Sequence, residues 1–445
     1  MKKTLLYLIL AVSLATIQSI LIAKFGILAL TIPIFIAFLS TLLFNRVTAL
    51  FVAIFSILFG QIVRIYLPSG GGIILSDLVA PAFILSWLAY KLIKDPKFKS
   101  VPSGKILAAV IITFLLTFII NWPVYSDKNA FLYLFRLLSY LLLFWPFYDL
   151  LIDKIVFKVS LKFVTLLFYL LIFLGFAQMI FFPYLIFLTQ YGWDPHKNRL
   201  VSTFLDPNFF GGFLSIGFAF FVAQYYSLRQ KKWSSLVPIF LTVIAIVLTF
   251  SRSGYLMFFT VLLIFGIFKD RRILAIGLIS FSVLYFTVPK FQDRLVGGFN
   301  IDATAQMRLD SWNQGYKLIS DHFVFGVGYN NLIQAKINEG ILTDKEVSSH
   351  GDAGIDSSIL AIWSTTGIVG LLIFILWYFW NCFSGFKAYF RAKEDKTRNF
   401  GLAIGAIFLG LFAHSFFVNS LLYPHIIIIV MIMLAIFYNL YEQKD

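Results

Sequence analysis

The feature that most constrains this chain is a series of long apolar segments along its whole length. Runs of roughly 20 residues recur, and stretches such as residues 106–120 and 426–438 would be apolar on every face of a helix. A helix of that length crosses the ~30 Å hydrocarbon core of a bilayer, whereas a transmembrane β-barrel shows shorter, alternating segments. With 60% hydrophobic and 13% charged residues, the sequence predicts an all-α polytopic membrane protein.

We predict about 14 transmembrane helices, near residues 4–23, 26–44, 48–67, 77–93, 106–122, 131–151, 163–182, 203–228, 234–250, 254–268, 273–288, 356–381, 399–420 and 425–441. One long loop carrying short amphipathic helices interrupts the series. We therefore divide the chain into N-terminal helices (1–198), central helices (199–288), the loop (289–355) and C-terminal helices (356–445). Within the loop, residues 304–320 place Leu309, Trp312, Tyr316 and Ile319 at helical spacing, which predicts a helix on the membrane surface or over a cavity.

Basic residues are distributed unequally between alternate loops. Of the 36 Lys and Arg residues, 23 fall at the termini and in the loops on one side, and 6 fall in the short loops on the other side. The six in the long loop are left out because long loops cross the membrane largely regardless of charge. We expect both termini to be cytoplasmic and the long loop to be extracytoplasmic. The net charge of +15 is thus explained by membrane orientation, not by nucleic acid.

The N-terminal segment, the single cysteine and two histidines do not indicate a further functional site. Residues 1–19 resemble a secretory signal, but no clean small-residue cleavage site follows, so we expect this segment to remain as the first span. The single cysteine, Cys382, excludes an intramolecular disulfide, a cysteine zinc site and an iron–sulfur cluster. His414 and His425 are too scattered to indicate a metal site. We predict neither a metal nor a cofactor.

Polar residues collect at four places that the predicted topology puts outside: Arg199, Arg252, Arg308 and Asp356. An arginine near the hydrocarbon edge is usually held by partners or by an anionic ligand, although any single one could be a snorkelling side chain. Hydroxyl and amide side chains adjoin these arginines: Ser202, Asn208 and Ser251. Because guanidinium groups bind phosphate oxygens in a bidentate fork, the set predicts a phosphate or diphosphate site.

Four segments of the sequence resemble the O-antigen ligase and polymerase superfamily of bacterial membrane glycosyltransferases. They are NRLVSTFLDPNFFGGFL (198–214), SRSG (251–254), RLDSWNQGYKLISDHFVFGVGYNNL (308–332) and DSSILAIWSTTGIVGLLIF (356–374). The resemblance implies a GT-C-type enzyme at the outer face of the bacterial cytoplasmic membrane. Such an enzyme transfers a glycan from polyprenyl diphosphate with inversion and without a metal. The implied partners are a polyprenyl-diphosphate-linked glycan donor, a glycan acceptor, membrane lipids, a chain-length regulator and a flippase.

The resemblance also implies roles for the polar residues. Arg199 and Arg252 would bind the diphosphate, with Ser202, Asn208 and Ser251 as further donors, and Arg308 would reach the same group from the loop. Asp356 stands where ligase-like relatives carry a His-Asn pair, and as a carboxylate it is a candidate general base.

Two alternatives stay open for the base. Asp356 could instead be a helix N-cap, and neighbouring arginines are expected to lower the pKa of its carboxyl. His350, six residues earlier, is the other catalytic candidate, or a loop residue without a role. Asp206 is expected to shape the turn in the DPN motif.

Three functions follow from these features. The leading hypothesis is a polysaccharide polymerase for O-antigen, capsule or exopolysaccharide, and a ligase that transfers finished polymer to a lipid or protein acceptor is closely related. A transporter or flippase of lipid-linked sugars is the hypothesis from another class. It would need charges along a path through the bilayer, whereas the polar groups here concentrate on one face.

Overall fold

The computed structural model describes residues 26–59, 62, 64–66, 72–94, 96–125, 128–191, 193–230, 232–296, 303–343 and 354–442. These residues form 17 α-helices and one two-stranded hairpin, which confirms the all-α class. The chain divides into two compact units, Met1–Lys99 and Ser100–Asp445, and the division into four parts given above stays a prediction. The predicted span at 4–23 and the candidate His350 lie outside the described residues.

The first unit consists of a 3₁₀ turn (Gly26–Leu30), α1 (Thr31–Phe44), α2 (Arg46–Phe59), β1 (Arg64–Tyr66), β2 (Gly72–Ile74) and α3 (Leu75–Lys94). The two strands pair antiparallel, and a carboxylate oxygen of Asp77 accepts a hydrogen bond of 2.9 Å from the N–H of Ile74. Helices α1 and α3 pack through Phe38 and Phe83, whose ring centroids lie 5.3 Å apart. The aspartate thus joins the hairpin to the start of α3.

The second unit contains α4 (Gly104–Tyr125), α5 (Lys128–Leu142), α6 (Phe144–Leu151), α7 (Lys154–Phe181), α8 (Pro207–Tyr226), α9 (Val237–Leu248), α10 (Arg252–Phe268), α11 (Arg271–Thr287), α12 (Pro289–Val296), α13 (Ala303–Asp321), α14 (Leu332–Asn338), α15 (Ser358–Arg391), α16 (Asp395–Ser415) and α17 (Pro424–Glu442). Short 3₁₀ turns occupy Ile186–Tyr191, Ser202–Phe204 and Trp233–Leu236. Helices α8, α16 and α17 are largely buried and form the centre of the unit.

The number of membrane spans is not settled by helix length and composition alone. Among the described residues, seven helices are long and apolar enough to cross a bilayer, or eight if α11 and α12, which meet at a bend of 104°, form one broken span. Four shorter apolar helices, Thr31–Phe44, Arg46–Phe59, Trp233–Leu248 and Arg252–Phe268, coincide with predicted spans. At 1.5 Å per residue a 17-residue helix reaches only about 25 Å. The integral membrane class is confirmed, and the count of 14 stays a prediction.

Glycines allow the central helices to approach one another closely. A Cβ added at Gly211 on α8 would lie 3.2 Å from the Cα of Gly254 on α10. Between α15 and α16, a Cβ at Gly385 would lie 2.6 Å from the carbonyl oxygen of Gly401. Small residues at such crossings let backbones approach in the membrane, where there is no hydrophobic force between helices. The first crossing brings the beginnings of α8 and α10 together, and both carry predicted site residues.

Helix α15 is broken at Gly367, which has φ 68° and ψ −175°. The loop after α13 repairs the break, because the N–H of Val327 donates to the carbonyl of Ser364 at 2.8 Å and the carbonyl of Phe323 accepts from Ile368 at 2.9 Å. Non-helical backbone at membrane depth is tolerated where protein satisfies its polar groups. The predicted span at 356–381 is therefore helical but not continuous.

The amphipathic helix predicted at 304–320 is present as α13, but the buried face differs in part from the predicted one. Ile319 is buried as expected and Trp312 is half-buried, whereas Tyr316 is 54% exposed. Gly315 and Leu318 are buried in addition. Spacing identified the helix, but the neighbouring segments decided which of its residues they cover.

Candidate active site

The first two predicted motifs meet at one end of the second unit. Arg199 donates from Nε to the carbonyl oxygen of Thr249 at 2.9 Å and from Nη2 to that of Phe250 at 3.1 Å. These two carbonyls immediately precede the SRSG turn. Arg199 thus joins the loop before α8 to the turn before α10.

The contacts of Arg199 leave part of its hydrogen-bonding capacity unused. A guanidinium carries five N–H donors, and two of them bind the carbonyls of Thr249 and Phe250. Burial, together with the positive charges of Arg294 and Arg308, lowers the pKa of Arg199 to about 10, so the group stays protonated at neutral pH. Arg199 is therefore a fixed, half-buried cation with donors available to an anion.

Cations from two other segments, α12 and α13, lie near Arg199. Lys290, near the start of α12, donates to the carbonyl oxygen of Asn198 at 2.6 Å and lies 4.3 Å from the ring centroid of Phe250. Arg294 and Arg308 are close enough to Arg199 for like charges to shift its pKa. Like charges crowded in a partly dry site repel one another, and a multivalent anion would relieve that repulsion.

Lys290 and Arg294 were not among the predicted site residues, because in the sequence both resemble ordinary loop charges. Their spacing of four residues on one short helix, α12, is the signal that could have identified them. The bend of 104° between α11 and α12 is what brings that helix to the site.

The small polar residues of the motifs mostly support the backbone. The hydroxyl of Ser251 donates to Oδ1 of Asn208 at 2.7 Å and accepts from the N–H of Gly254 at 3.1 Å. The hydroxyl of Ser202 is buried and donates to the carbonyl oxygen of Leu171 at 2.7 Å. The structure therefore brings Asn208 and Ser251 together, while Ser202 holds its segment against α7, and their roles in binding the diphosphate stay predictions.

Arg252 is the first residue of α10 and is half-buried. It follows the N-cap Ser251, so it lies at the same end of the unit as the Arg199 contacts. Its role in binding the diphosphate stays a prediction.

The backbone around Arg199 is strained at four positions. Asn198, Ser202, Leu205 and Phe250 have φ of 50°, 52°, 59° and 47°, in the left-handed region that residues with side chains seldom occupy. Such conformations cost free energy and tend to cluster at functional sites. Three of the four flank Arg199 in sequence and the fourth supplies one of its carbonyl partners.

Asp206 caps α8 as expected. Its Oδ1 accepts from the N–H groups of Asn208 at 2.6 Å and Phe209 at 3.1 Å. Replacing such a cap by alanine typically costs about 1 kcal/mol. The prediction that Asp206 shapes the DPN turn is thereby confirmed.

Asp356 lies under α13, at the same end of the unit. Its N–H donates to the hydroxyl of Ser311 at 3.0 Å, and its carbonyl accepts from the indole N–H of Trp312 at 3.1 Å. The N-cap of α15 is Ser357, whose hydroxyl accepts from Leu360 N–H. The alternative in which Asp356 itself caps the helix is thus wrong, because capping does not use its carboxylate.

The electrostatic expectation for Asp356 also needs correction. Arginine neighbours were expected to lower its pKa, and Arg308 does act in that direction, but burial dominates and raises the pKa above its ordinary value. The negative charges of Asp206 and Asp194 add to the increase. A carboxylate with a raised pKa is a stronger base than an exposed one.

His414, on α16, is a buried neighbour of this site, and it was not predicted to bind a metal. Its Nε2 lies 3.2 Å from the carbonyl oxygen of Asn208, and a Cβ at Gly212 would lie 3.3 Å from its ring. The contact supports a packing interpretation, since the imidazole fills the space beside the start of α8.

These observations define a class: an integral membrane protein with a cationic site and a half-buried carboxylate at one end of its helices. Residues 237–375 match the family model described as O-antigen ligase, so this part of the chain is similar to that family. The match confirms the resemblance and includes Arg252, Arg308 and Asp356, whereas Arg199 lies before it. No curated protein matches the chain.

Proposed function

We propose that this protein is a polysaccharide polymerase that joins polyprenyl-diphosphate-linked repeat units at the outer face of the cytoplasmic membrane. The family match indicates activity of the O-antigen ligase or polymerase type on lipid-linked glycans, and the proposal specifies the reaction and the residues. Both termini would be cytoplasmic. A chain-length regulator and a flippase would act with it, and nucleic acid would not be a partner.

The observation that carries the proposal is the pairing of a cationic cluster with a half-buried carboxylate. Arg308 interacts electrostatically with Arg199 on one side and with Asp356 on the other. Arg308 is therefore close enough to interact with both a cation that could bind the diphosphate, Arg199, and a carboxylate that could accept a proton from the hydroxyl, Asp356. This is the arrangement that glycosyl transfer from a diphosphate requires.

In the proposed reaction, the acceptor hydroxyl loses its proton to the carboxylate of Asp356 as its oxygen attacks the anomeric carbon. The bond between that carbon and the diphosphate oxygen breaks, and the electron pair leaves with polyprenyl diphosphate. Arg199, Arg252 and Arg308 stabilise the charge that develops on the leaving group. Fixed cations in a site that excludes water can contribute several kcal/mol to such a step. Configuration at the anomeric carbon inverts.

A ligase that transfers finished polymer to a lipid or protein acceptor would use the same groups. The two are distinguished in a strain that lacks the protein. Accumulation of single lipid-linked repeat units supports the polymerase, whereas accumulation of long lipid-linked polymer supports the ligase.

Transport of lipid-linked sugars is the alternative from another class. The polar groups described above lie at one end of the helices, where they suit chemistry better than passage across the bilayer. Purified protein in liposomes with a lipid-linked repeat unit tests this. New glycosidic bonds support transfer, and transbilayer movement without bond formation would contradict it.

Replacing Asp356 with asparagine is expected to abolish transfer while donor binding stays within a few-fold of wild type, because the amide cannot accept the acceptor's proton. In the wild-type protein, the rate should fall as pH drops through the pKa of Asp356. That fall should occur at a higher pH than the ordinary carboxyl value of about 3.9 implies, since burial raises the pKa. Initial rates against pH with purified protein measure both effects.

Asp310→Asn is the matched control, because Asp310 lies on α13, is exposed and accepts a hydrogen bond from the side chain of Gln306. Its rate should equal that of wild type. An Asp356→Asn protein that retains transfer and the same pH profile would remove Asp356 as the base.

A further inference from the structure

Three potential metal ligands converge beside the loop that carries Arg199. They are Asp194, His196 and Asp206, and one ligand atom from each lies within 4.8 Å of the others. Nε2 of His196 and Oδ2 of Asp206 are 3.9 Å apart. That separation is too long for a hydrogen bond, although it lies within ion-pair distance.

The imidazole of His196 is the most informative member of the cluster. Its side chain is only 10% exposed, and Nε2 is buried without a hydrogen-bond partner among the described residues. A buried polar atom without a partner costs about 1–3 kcal/mol, and such atoms in folded proteins call for an explanation. Since neutral imidazole is a common metal ligand, an ion between the two side chains would supply the missing interaction.

The surrounding backbone holds the ligands in place. Oδ1 of Asp206 is occupied by its capping hydrogen bonds, which leaves Oδ2 directed towards His196. The carbonyl of His196 accepts a hydrogen bond from the N–H of Leu185 at 3.0 Å. The backbone N–H of His196 donates to the carbonyl of Asp194 at 2.9 Å. Asp194 is exposed, so its carboxylate can rotate towards the other two at little cost.

We propose that Asp194, His196 and Asp206 bind one divalent transition-metal ion, of the class of Zn²⁺ or Mn²⁺. One imidazole and two carboxylates suit such ions. Metal–ligand bonds of about 2.0–2.2 Å allow ligand atoms on opposite sides of an ion to lie about 4 Å apart, as His196 and Asp206 do. Ca²⁺ and Mg²⁺ fit less well because they prefer oxygen ligands alone.

The position of the ion suggests its role. Asp194 and His196 lie before Arg199 in sequence and Asp206 lies after it, so the ion would close a loop with Arg199 in its middle. The ion would fix this loop and take no part in the bond changes. This site was not predicted from the sequence, because nine residues separate His196 from Asp206 and no ligand spacing marks the pair.

Metal binding to the full-length protein in detergent tests the proposal. After removal of any affinity tag and treatment with a chelator, wild type should bind about one equivalent of Zn²⁺ or Mn²⁺ in calorimetry, and binding should raise its unfolding temperature. His196→Gln should abolish saturable binding, and Asp194→Asn should weaken it at least about tenfold. His322→Gln is the matched control, because His322 is a histidine outside the cluster and pairs with Glu339.

Absence of saturable binding in wild type, or equal binding in wild type and Asp194→Asn, would overturn the proposal. If His196→Gln fails to fold, the Asp194→Asn variant still decides, because its side chain is exposed and its loss should not affect folding. The measurement uses no glycan, so a negative result would leave the proposed transfer reaction unaffected.

Discussion

Arg199→Lys is expected to reduce glycosyl transfer by about 10²–10³-fold, while the protein remains folded in the membrane. Arginine contacts the carbonyls of both Thr249 and Phe250 and still has three N–H donors for a phosphate. A lysine ammonium has only three donors and no planar fork. It could keep its charge near the site, but it could not hold the turn and bind an anion in the same geometry. Initial rates with purified protein and a lipid-linked repeat unit measure the loss.

Lys197→Ala is the matched control for this experiment. Lys197 lies two residues earlier in the same loop and is exposed, with its ammonium 5.7 Å from the ring centroid of Tyr184. Its replacement removes one positive charge from the same loop without touching the SRSG turn, so the rate should change by less than about threefold. If Arg199→Lys proves as active as Lys197→Ala, the diphosphate site proposed around Arg199 is wrong.

Gly367→Ala should cause the second large effect, a loss of folded protein. Its φ of 68° and ψ of −175° belong to a region that is nearly exclusive to glycine, and an added Cβ would overlap the carbonyl oxygen of Val324. The loop at residues 323–328 would have to leave α15, which would expose the backbone groups of Ser364 and Thr365 that it binds. We expect destabilisation of about 3 kcal/mol or more, measured as lost yield and a lower unfolding temperature.

Gly354→Ala is a suitable comparison, because a Cβ there would meet no atom within 4 Å. Its unfolding temperature should match that of wild type. A Gly367→Ala protein of unchanged stability would mean that the break in α15 and its hydrogen bonds to the 323–328 loop do not contribute to folding.

Much of the architecture was predictable from apolar periodicity. Most of the described helices lie at predicted spans, and α13 lies in the predicted loop where residues at helical spacing indicated it. This success has a simple cause, since a membrane requires each spanning segment to satisfy its own backbone hydrogen bonds. The same reasoning cannot count spans, because a 17-residue helix such as Arg252–Phe268 is too short to be assigned by length alone.

The candidate site was predictable only in part. Arg199, Asn208 and Ser251 were selected from sequence and do come together, because a guanidinium or an amide beside an apolar span is conspicuous. Lys290 was missed, since an ordinary loop lysine carries no such signal. The break at Gly367 was also missed, because the apolar residues around it read as a continuous span.

By itself, the sequence determined that this is an all-α membrane protein with arginines beside its apolar segments, because composition and spacing report which groups can enter a bilayer. Only the tertiary structure decided which groups meet. It joined Arg199 to the turn at Thr249 and Phe250, placed α13 over Asp356, and brought His196 to Asp206. It also decided the protonation tendency of Asp356, because burial by distant segments outweighed the nearby arginine. The distances between remote segments, and the burial of side chains by those segments, arise from packing, which local sequence does not encode.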